Sequence, residues 1–225
     1  MQRQRGNASD SSANIAATPE HVVFCFEVLS RHFSGASPPE PLFDNLNCPL
    51  FVTWNKQSRR GKRLRGCIGT LESRSLHTAL RDYALTSALR DRRFEPVSHR
   101  EVASLSCTVS MLCAFEQASS WMDWTVGIHG LIIDFFDPVA RCQRSATFLP
   151  EVASHEGWTR EETIDSLIAK AGFTGPVTPA LRGSLSVTRY QSSAASLTYD
   201  QYCAAAQPAA ARVQPAGGMT VTVPA

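Results

Sequence analysis

The residues of this chain best suited to chemistry lie in one short segment, Leu64-Arg65-Gly66-Cys67-Ile68-Gly69-Thr70. The thiolate is the nucleophilic form of cysteine, and a nearby cation favours it. Arg65 is placed in sequence to supply that cation to Cys67. Gly66 and Gly69 bracket the thiol, and glycine inside a strand pattern marks a bulge or a close approach of backbone or ligand. Without side chains at those two positions the thiol is uncrowded, and peptide N–H groups are free to turn toward an oxyanion or phosphate. The same pattern has a plainer reading, a tight bulge around a buried structural thiol, because free cysteine is among the most buried residue types.

A nucleophilic thiol needs a proton acceptor. Among six histidines, His129 in Val126-Gly127-Ile128-His129-Gly130 lies in a glycine-flanked turn and is the candidate base. A turn histidine that satisfies its own backbone is the competing reading. His21, His32 and His99 fall near helix ends and read as surface residues. Arg93, in Asp91-Arg92-Arg93-Phe94-Glu95-Pro96, suits a second anion clamp beside Arg65, or a tie between a helix end and the sheet. Glu151, following Pro150, is a candidate acid, base or substrate contact, although an acidic residue in a first helical turn is also ordinary dipole chemistry. No H-E-x-x-H, G-x-x-x-x-G-K-[ST] or G-x-S-x-G motif occurs, and the seven cysteines contain no C-x-x-C pair. These absences remove the main supports for metal, P-loop and serine-hydrolase chemistry. The cofactor is left open.

The elements that must position these groups follow from periodicity. Thr18-Pro19-Glu20 is a helix start, Val22, Phe26, Leu29 and Phe33 recur at helical spacing, and Gly35 stops the helix. Leu50–Trp54 and Lys62–Leu71 read as strands, and Ser75–Arg90 as a helix. Leu105–Cys113 alternates strictly, one face apolar and the other mostly polar. Trp124–Ile128 and Leu131–Phe136 flank His129-Gly130 and read as a hairpin. Ser145–Leu149 is a further strand. Thr159-x-x-Glu162 is a capping box for a helix through Ala171, and Leu185–Tyr190 is a last strand. Strands grouped together with helices before and after, and no regular βαβ alternation, predict an α+β fold with a largely antiparallel sheet.

Composition bounds the rest. The chain has 225 residues, a formal charge of +2 and 43% hydrophobic residues, sufficient for one good core or two small ones. Residues 1–17 and the Ala/Pro-rich residues 204–225 hold too little apolar surface to offset ordering entropy and are expected to be disordered. Arg3, Arg5 and Arg212 against Asp10 account for the whole surplus, leaving 19 basic and 19 acidic residues between 18 and 203. The basic run Arg59-Arg60-Gly61-Lys62-Arg63-Leu64-Arg65 lacks aromatic interleaving, so it reads as a solvated loop and nucleic-acid binding is not expected. No apolar stretch approaches the length of a membrane span and no secretion signal opens the chain. Unpaired cysteines agree with an intracellular protein, cytoplasmic or nuclear.

Several blocks in order carry a family resemblance: Leu64-Arg65-Gly66-Cys67-Ile68-Gly69, Phe24-Cys25-Phe26, Pro49–Trp54, Tyr83–Leu89, Asp123-Trp124, His129-Gly130, Ala146–Ala153, Thr163–Leu167 and Leu185–Gln191. Over residues 18–203 the chain resembles the AMMECR domain family. That resemblance implies two unequal lobes, the larger built from both ends of the domain, with the Cys67 segment lining a cleft between them. It implies no established reaction. It offers two expectations, a small-molecule ligand in the cleft with thiol chemistry, or a non-catalytic interaction module partnering a Memo-like (extradiol-dioxygenase-like), radical-SAM or gene-expression protein. The chain departs from the family pattern at Ile132 after His129-Gly130-Leu131 and at Ala169-Lys170-Ala171-Gly172, where the family carries more basic or glycine residues.

Overall fold

The computed structural model describes residues 16–58 and 61–206. Arg59-Arg60 and most of the two segments expected to be disordered lie outside the described residues. Ala17 is described, and its N–H donates to Ser193 Oγ at 3.0 Å.

Helix α1 (Pro19–Ser34) starts and stops where its sequence dictates: proline opens it and Gly35, at φ 70°, closes it in the left-handed conformation. His21 is not a surface residue. Its Nδ1 accepts from Thr18 N at 3.0 Å, and the ring meets Phe43 edge-on at 4.5 Å. Strands β1 (Asn47–Ser58) and β2 (Gly61–Ser75) form a long antiparallel hairpin, followed by α2 (Leu76–Leu89). A 3-10 turn (His99–Ser104) leads into β3 (Leu105–Gln117). Next come β4 (Gly130–Asp137), β5 (Cys142–Phe148), α3 (Pro150–Glu156), α4 (Arg160–Lys170), α5 (Pro179–Gly183), β6 (Ser186–Thr198) and α6 (Tyr199–Ala206). The strands make one six-stranded sheet in the order β2-β1-β3-β6-β4-β5, and every neighbouring pair is antiparallel.

Trp124–Ile128 is not a strand. Ile128 N and His129 N both bond to Thr125 O, and Gly127 sits at φ 79°, so this segment is a tight turn leading into β4. Its apolar residues serve as anchors: Trp124 is buried in the second core, and its indole donates to Trp121 O at 2.9 Å.

Two apolar clusters of unequal size pack against the shared sheet. The larger joins α1, β1, α2, the start of β3 and the end of β6 with Tyr202, so both ends of the chain meet in it. The smaller joins β4, α4, Trp124 and Val187. Strand β6 contributes to both, Val187 to the smaller and Ala195 and Leu197 to the larger. Between the clusters β3 carries an extra residue relative to β6, in the step from Cys113 to Glu116, and Ala114 there adopts φ 51°. A bulge of this kind bends the strand and increases twist.

The glycines around Cys67 are explained by packing. A Cβ on Gly66 would overlap the Ser87 carbonyl of α2, and one on Gly69 would overlap Leu50 O and the Phe51 side chain. The close approach lets Trp54, fully buried across from Gly66, donate its indole N–H to Ala84 O at 3.0 Å. Gly66→Ala therefore pushes α2 off the hairpin. Overpacking of this sort costs about 1–3 kcal/mol, and chemical denaturation should show that loss with the cooperative transition retained.

Candidate functional site

Cys67 lies opposite Thr53 in the β1–β2 ladder, and Thr53 Oγ1 donates to its sulfur at 3.1 Å. The Cys67 N–H, offered by the sequence to an oxyanion, is already taken: it donates to Asp91 Oδ2 at 2.9 Å. Asp91 follows α2 and is only 5% exposed. Its two oxygens also accept from Arg93 Nε at 3.0 Å and Arg93 Nη2 at 2.7 Å, and Oδ1 accepts from Arg93 N at 3.2 Å. Arg93 Nη2 reaches on to the Cys67 carbonyl at 3.2 Å, closing a ring of bonds around one residue of β2. Asp91 is thus the resident anion of this corner. Its bonds to the Arg93 guanidinium, aided by the Cys67 N–H, hold its pKa down at about 2 against the effect of burial.

Arg65 has a different occupation. The register steps from Trp54–Gly66 to Asn55–Leu64, which makes Arg65 the bulged residue. Its guanidinium bonds to Glu101 at 3.1 Å and to the Glu95 carbonyl at 2.6 Å. It binds the 3-10 turn to the hairpin and holds Glu101, together with Lys56, at a pKa of about 2. The cation that acts on the Cys67 thiol is Arg93. His129 is likewise engaged locally: its Nδ1 accepts from Thr125 N at 3.0 Å. The glycine after it makes room for the Tyr190 ring, which a side chain at Gly130 would strike.

The second half of the chain contributes two charged groups. Glu151, in the first turn of α3, acts electrostatically on Cys67 and on Tyr190. Lys170, at the end of α4, interacts with both Cys67 and Arg93. Its ammonium donates to Thr147 O at 2.7 Å and lies 4.6 Å from the centre of the Phe148 ring. Fully buried Tyr190 supports this side, donating to Phe148 O at 3.0 Å with Thr147 Oγ1 also at 3.0 Å; burial pushes its phenol up to about 12. Thr53, Cys67, Asp91 and Arg93 are thus joined by hydrogen bonds, and Glu151 and Lys170, on the helices that follow β5, act on this group electrostatically.

Burial dominates the thiol and pushes its pKa up; Thr53 and Arg93 oppose that shift, while Glu151 and Asp91 reinforce it. The resting thiol is protonated at neutral pH, and burial and Arg93 both press Lys170 downward from its ordinary value. Of the sequence candidates, the structure brings together Cys67, Arg93 and Glu151. Thr53, Asp91 and Lys170 were not singled out. Asp91 could have been found as the acid beside Arg93, whereas no local spacing ties Lys170 to residue 67. Among the described residues no group of three or more His, Cys, Asp or Glu is placed to hold a metal ion, and no helix is long and apolar enough to cross a membrane. A separate cavity of about 520 Å³ lies between α1, residues 39–43 and the end of α6; none of the Cys67 cluster lines it.

Comparison with known proteins places these residues in context. A sequence model of the AMMECR1 family matches residues 22–195. An uncharacterised protein of Arabidopsis thaliana is 52% identical over 189 residues, covering 84% of this chain and 88% of its own. One from Schizosaccharomyces pombe is 37% identical over 186 residues, covering 81% and 94%. The crystal structure of an uncharacterised Pyrococcus horikoshii protein matches with a TM-score of 0.64 at 26% identity, over 80% of this chain and 90% of that one.

Asp91 has a folded pKa below its unfolded value, so its contribution is present above the unfolded pKa near 3.8 and is lost as pH falls through about 2. Asp91→Asn should lower stability at pH 7 by up to about 2 kcal/mol and flatten the acid limb between those two values. Denaturation across pH 2–7 measures both effects.

Proposed function

The chain belongs to the AMMECR1 family, and we propose that it binds a small molecule at the Cys67 cluster, with the thiol in direct contact with the ligand. One observation carries this reading. Arg93, Asp91, Glu151 and Lys170, drawn from distant parts of the chain, act on or around one half-buried thiol. Titratable groups with perturbed surroundings recur at functional sites, where chemistry needs them.

Arg93 and Lys170 provide positive charge, Cys67 and Thr53 provide polar contacts, and Glu151 is the nearby carboxylate available to exchange a proton with the ligand. His129, engaged with Thr125, has no part in this scheme. The thiol enters as a neutral donor, so any nucleophilic role begins only once a ligand changes its surroundings.

Two measurements test the reading. Cys67 alkylation by iodoacetamide should run slower than that of a free cysteine at pH 7 and accelerate at alkaline pH. A rate faster than free cysteine at pH 6–7 would mean a resting thiolate and overturn the neutral-thiol scheme. Native mass spectrometry of the purified chain should reveal a bound molecule that Cys67→Phe displaces while leaving the fold intact by circular dichroism. If Val23→Trp, which fills the cavity beside α1, displaces the molecule and Cys67→Phe does not, the site is the wrong one.

A further inference from the structure

His21 holds a position at the start of α1 that usually belongs to a different residue type. In a capping box the third helical residue is glutamate or glutamine, whose side chain accepts from the N–H of the capping residue. Here the acceptor is an imidazole: Thr18 N donates to His21 Nδ1 at 3.0 Å, and His21 N donates back to Thr18 O at 3.2 Å. Acceptance at Nδ1 places the one ring proton of neutral His21 on Nε2. The ring is 5% exposed and meets Phe43 edge-on at 4.5 Å. Phe43 is also held by α2, where His77 Nε2 donates to the Phe43 carbonyl at 2.7 Å and the two rings meet edge-on at 5.2 Å. Pro19, Glu20, Phe24 and Phe43 all line the cavity of about 520 Å³ beside α1. One histidine therefore ties the first turn of α1 to a wall of that cavity.

We propose that His21 is a pH-sensitive latch: neutral, it joins the first turn of α1 to the Phe43 wall of the cavity, and protonated, it releases both. The reason lies in the donor inventory. An imidazolium carries hydrogen on both nitrogens, so Nδ1 no longer accepts and faces the Thr18 N–H donor to donor. The Thr18 hydroxyl, 3.4 Å from Nδ1, lies beyond the usual range for a replacement bond. The ring is also too buried to hydrate a charge cheaply. The charged groups lining the adjoining spaces are Glu20, Glu27 and Arg31 on α1, His77 and Arg81 on α2, and Glu40 near Phe43. Burial lowers the His21 pKa below the ordinary 6.5; Glu20 opposes that shift and His77 reinforces it. The folded value lies below the unfolded one, so the latch contributes fully above about 6.5 and is lost as pH falls through the folded value. His77 behaves differently, because its Nε2–H is the donor in the neutral and the charged form alike, so Phe43 stays tethered to α2. Release therefore parts the start of α1 from a segment that remains with α2, and the cavity opens along that seam.

Hydrogen exchange and NMR on the full chain between pH 7.5 and 5 test the latch. After correction for the intrinsic pH dependence of exchange, the amides of residues 18–24 should lose protection about fivefold or more, the worth of one helix-capping bond, while β1 and β3 keep theirs. The His21 ring should titrate with the same midpoint as that loss. The through-space contact between the His21 and Phe43 rings should be present at pH 7.5 and absent at pH 5, with the His77–Phe43 contact persisting. His21→Gln supplies the usual capping-box acceptor without a titrating group and should abolish the response, whereas His77→Gln should retain it. The wild-type measurements decide the question even where His21→Gln fails to fold. Unchanged protection, a uniform loss over the whole chain, a His21–Phe43 contact that survives protonation, or a response that survives His21→Gln would each overturn the proposal.

Discussion

The carboxylate of Asp91 is the constraint on which the site depends. It is almost wholly buried, yet it accepts bonds from the Cys67 N–H, the Arg93 N–H and two nitrogens of the Arg93 guanidinium. A buried charge is tolerated only when its hydrogen-bonding capacity is met, and here three kinds of donor meet it. The consequence is geometric. Asp91 follows the last turn of α2, so its bond to Cys67 pins the helix end to the middle of β2. The same bonds aim Arg93 across the strand to the Cys67 carbonyl, which is why an arginine with an exposed side chain still has a defined direction.

Sheet construction determines what lies opposite. Strand β6 belongs to both cores and pairs with β3 on one side and β4 on the other, so the two halves of the protein cannot be separated without breaking a continuous ladder. The bulge at Ala114 falls between the cores, where one extra residue bends β3. That bend turns the β4–β5 end of the sheet relative to the β1–β2 end. The α3 and α4 helices that follow β5 then bring Glu151 and Lys170 within electrostatic reach of a thiol on the far strand. Tyr190 braces this arrangement from β6, filling the room left by Gly130 and bonding the last residue of β5.

Local signals in the sequence were reliable where local physics decides. The Thr18-Pro19 start and Gly35 stop of α1 and the Thr159–Glu162 capping box of α4 appear as read, because each depends on bonds within a few residues. β3 is a strand as its alternation predicts, but its second face is not wet: Ser106, Ser110 and Leu112 are buried along with Leu105, Cys107, Val109 and Met111, because this strand lies inside the sheet between β1 and β6. Trp124–Ile128 failed as a strand since its apolar residues are anchors for a turn, and periodicity cannot distinguish the two over five residues. Gly66 and Gly69 were correctly marked as places of close approach. What approaches is the α2 backbone at Gly66 and β1 at Gly69, a fact that resides in packing between elements. Arg65 and His129 were attractive through adjacency to the motif, but a bulge redirects the first and a turn captures the second. Lys170 was invisible as a site residue because its influence on Cys67 runs between elements far apart in the chain, with no local spacing to mark it.

The protonation of Cys67 follows from the same pairing that orders the site. An arginine beside a thiol ordinarily favours the thiolate, but Arg93 arrives with its charge matched by Asp91 at 2.7 Å, so the thiol sees a nearly neutral pair. Glu151 adds negative potential on the other side, and burial removes the water that would solvate a sulfur anion. Lys170 forms no ion pair among the described residues, and its amine is held by a carbonyl and an aromatic face. The net effect is a thiol kept in its neutral form by burial and by two carboxylates, one of which is locked in place by the Arg93 guanidinium and the Cys67 N–H.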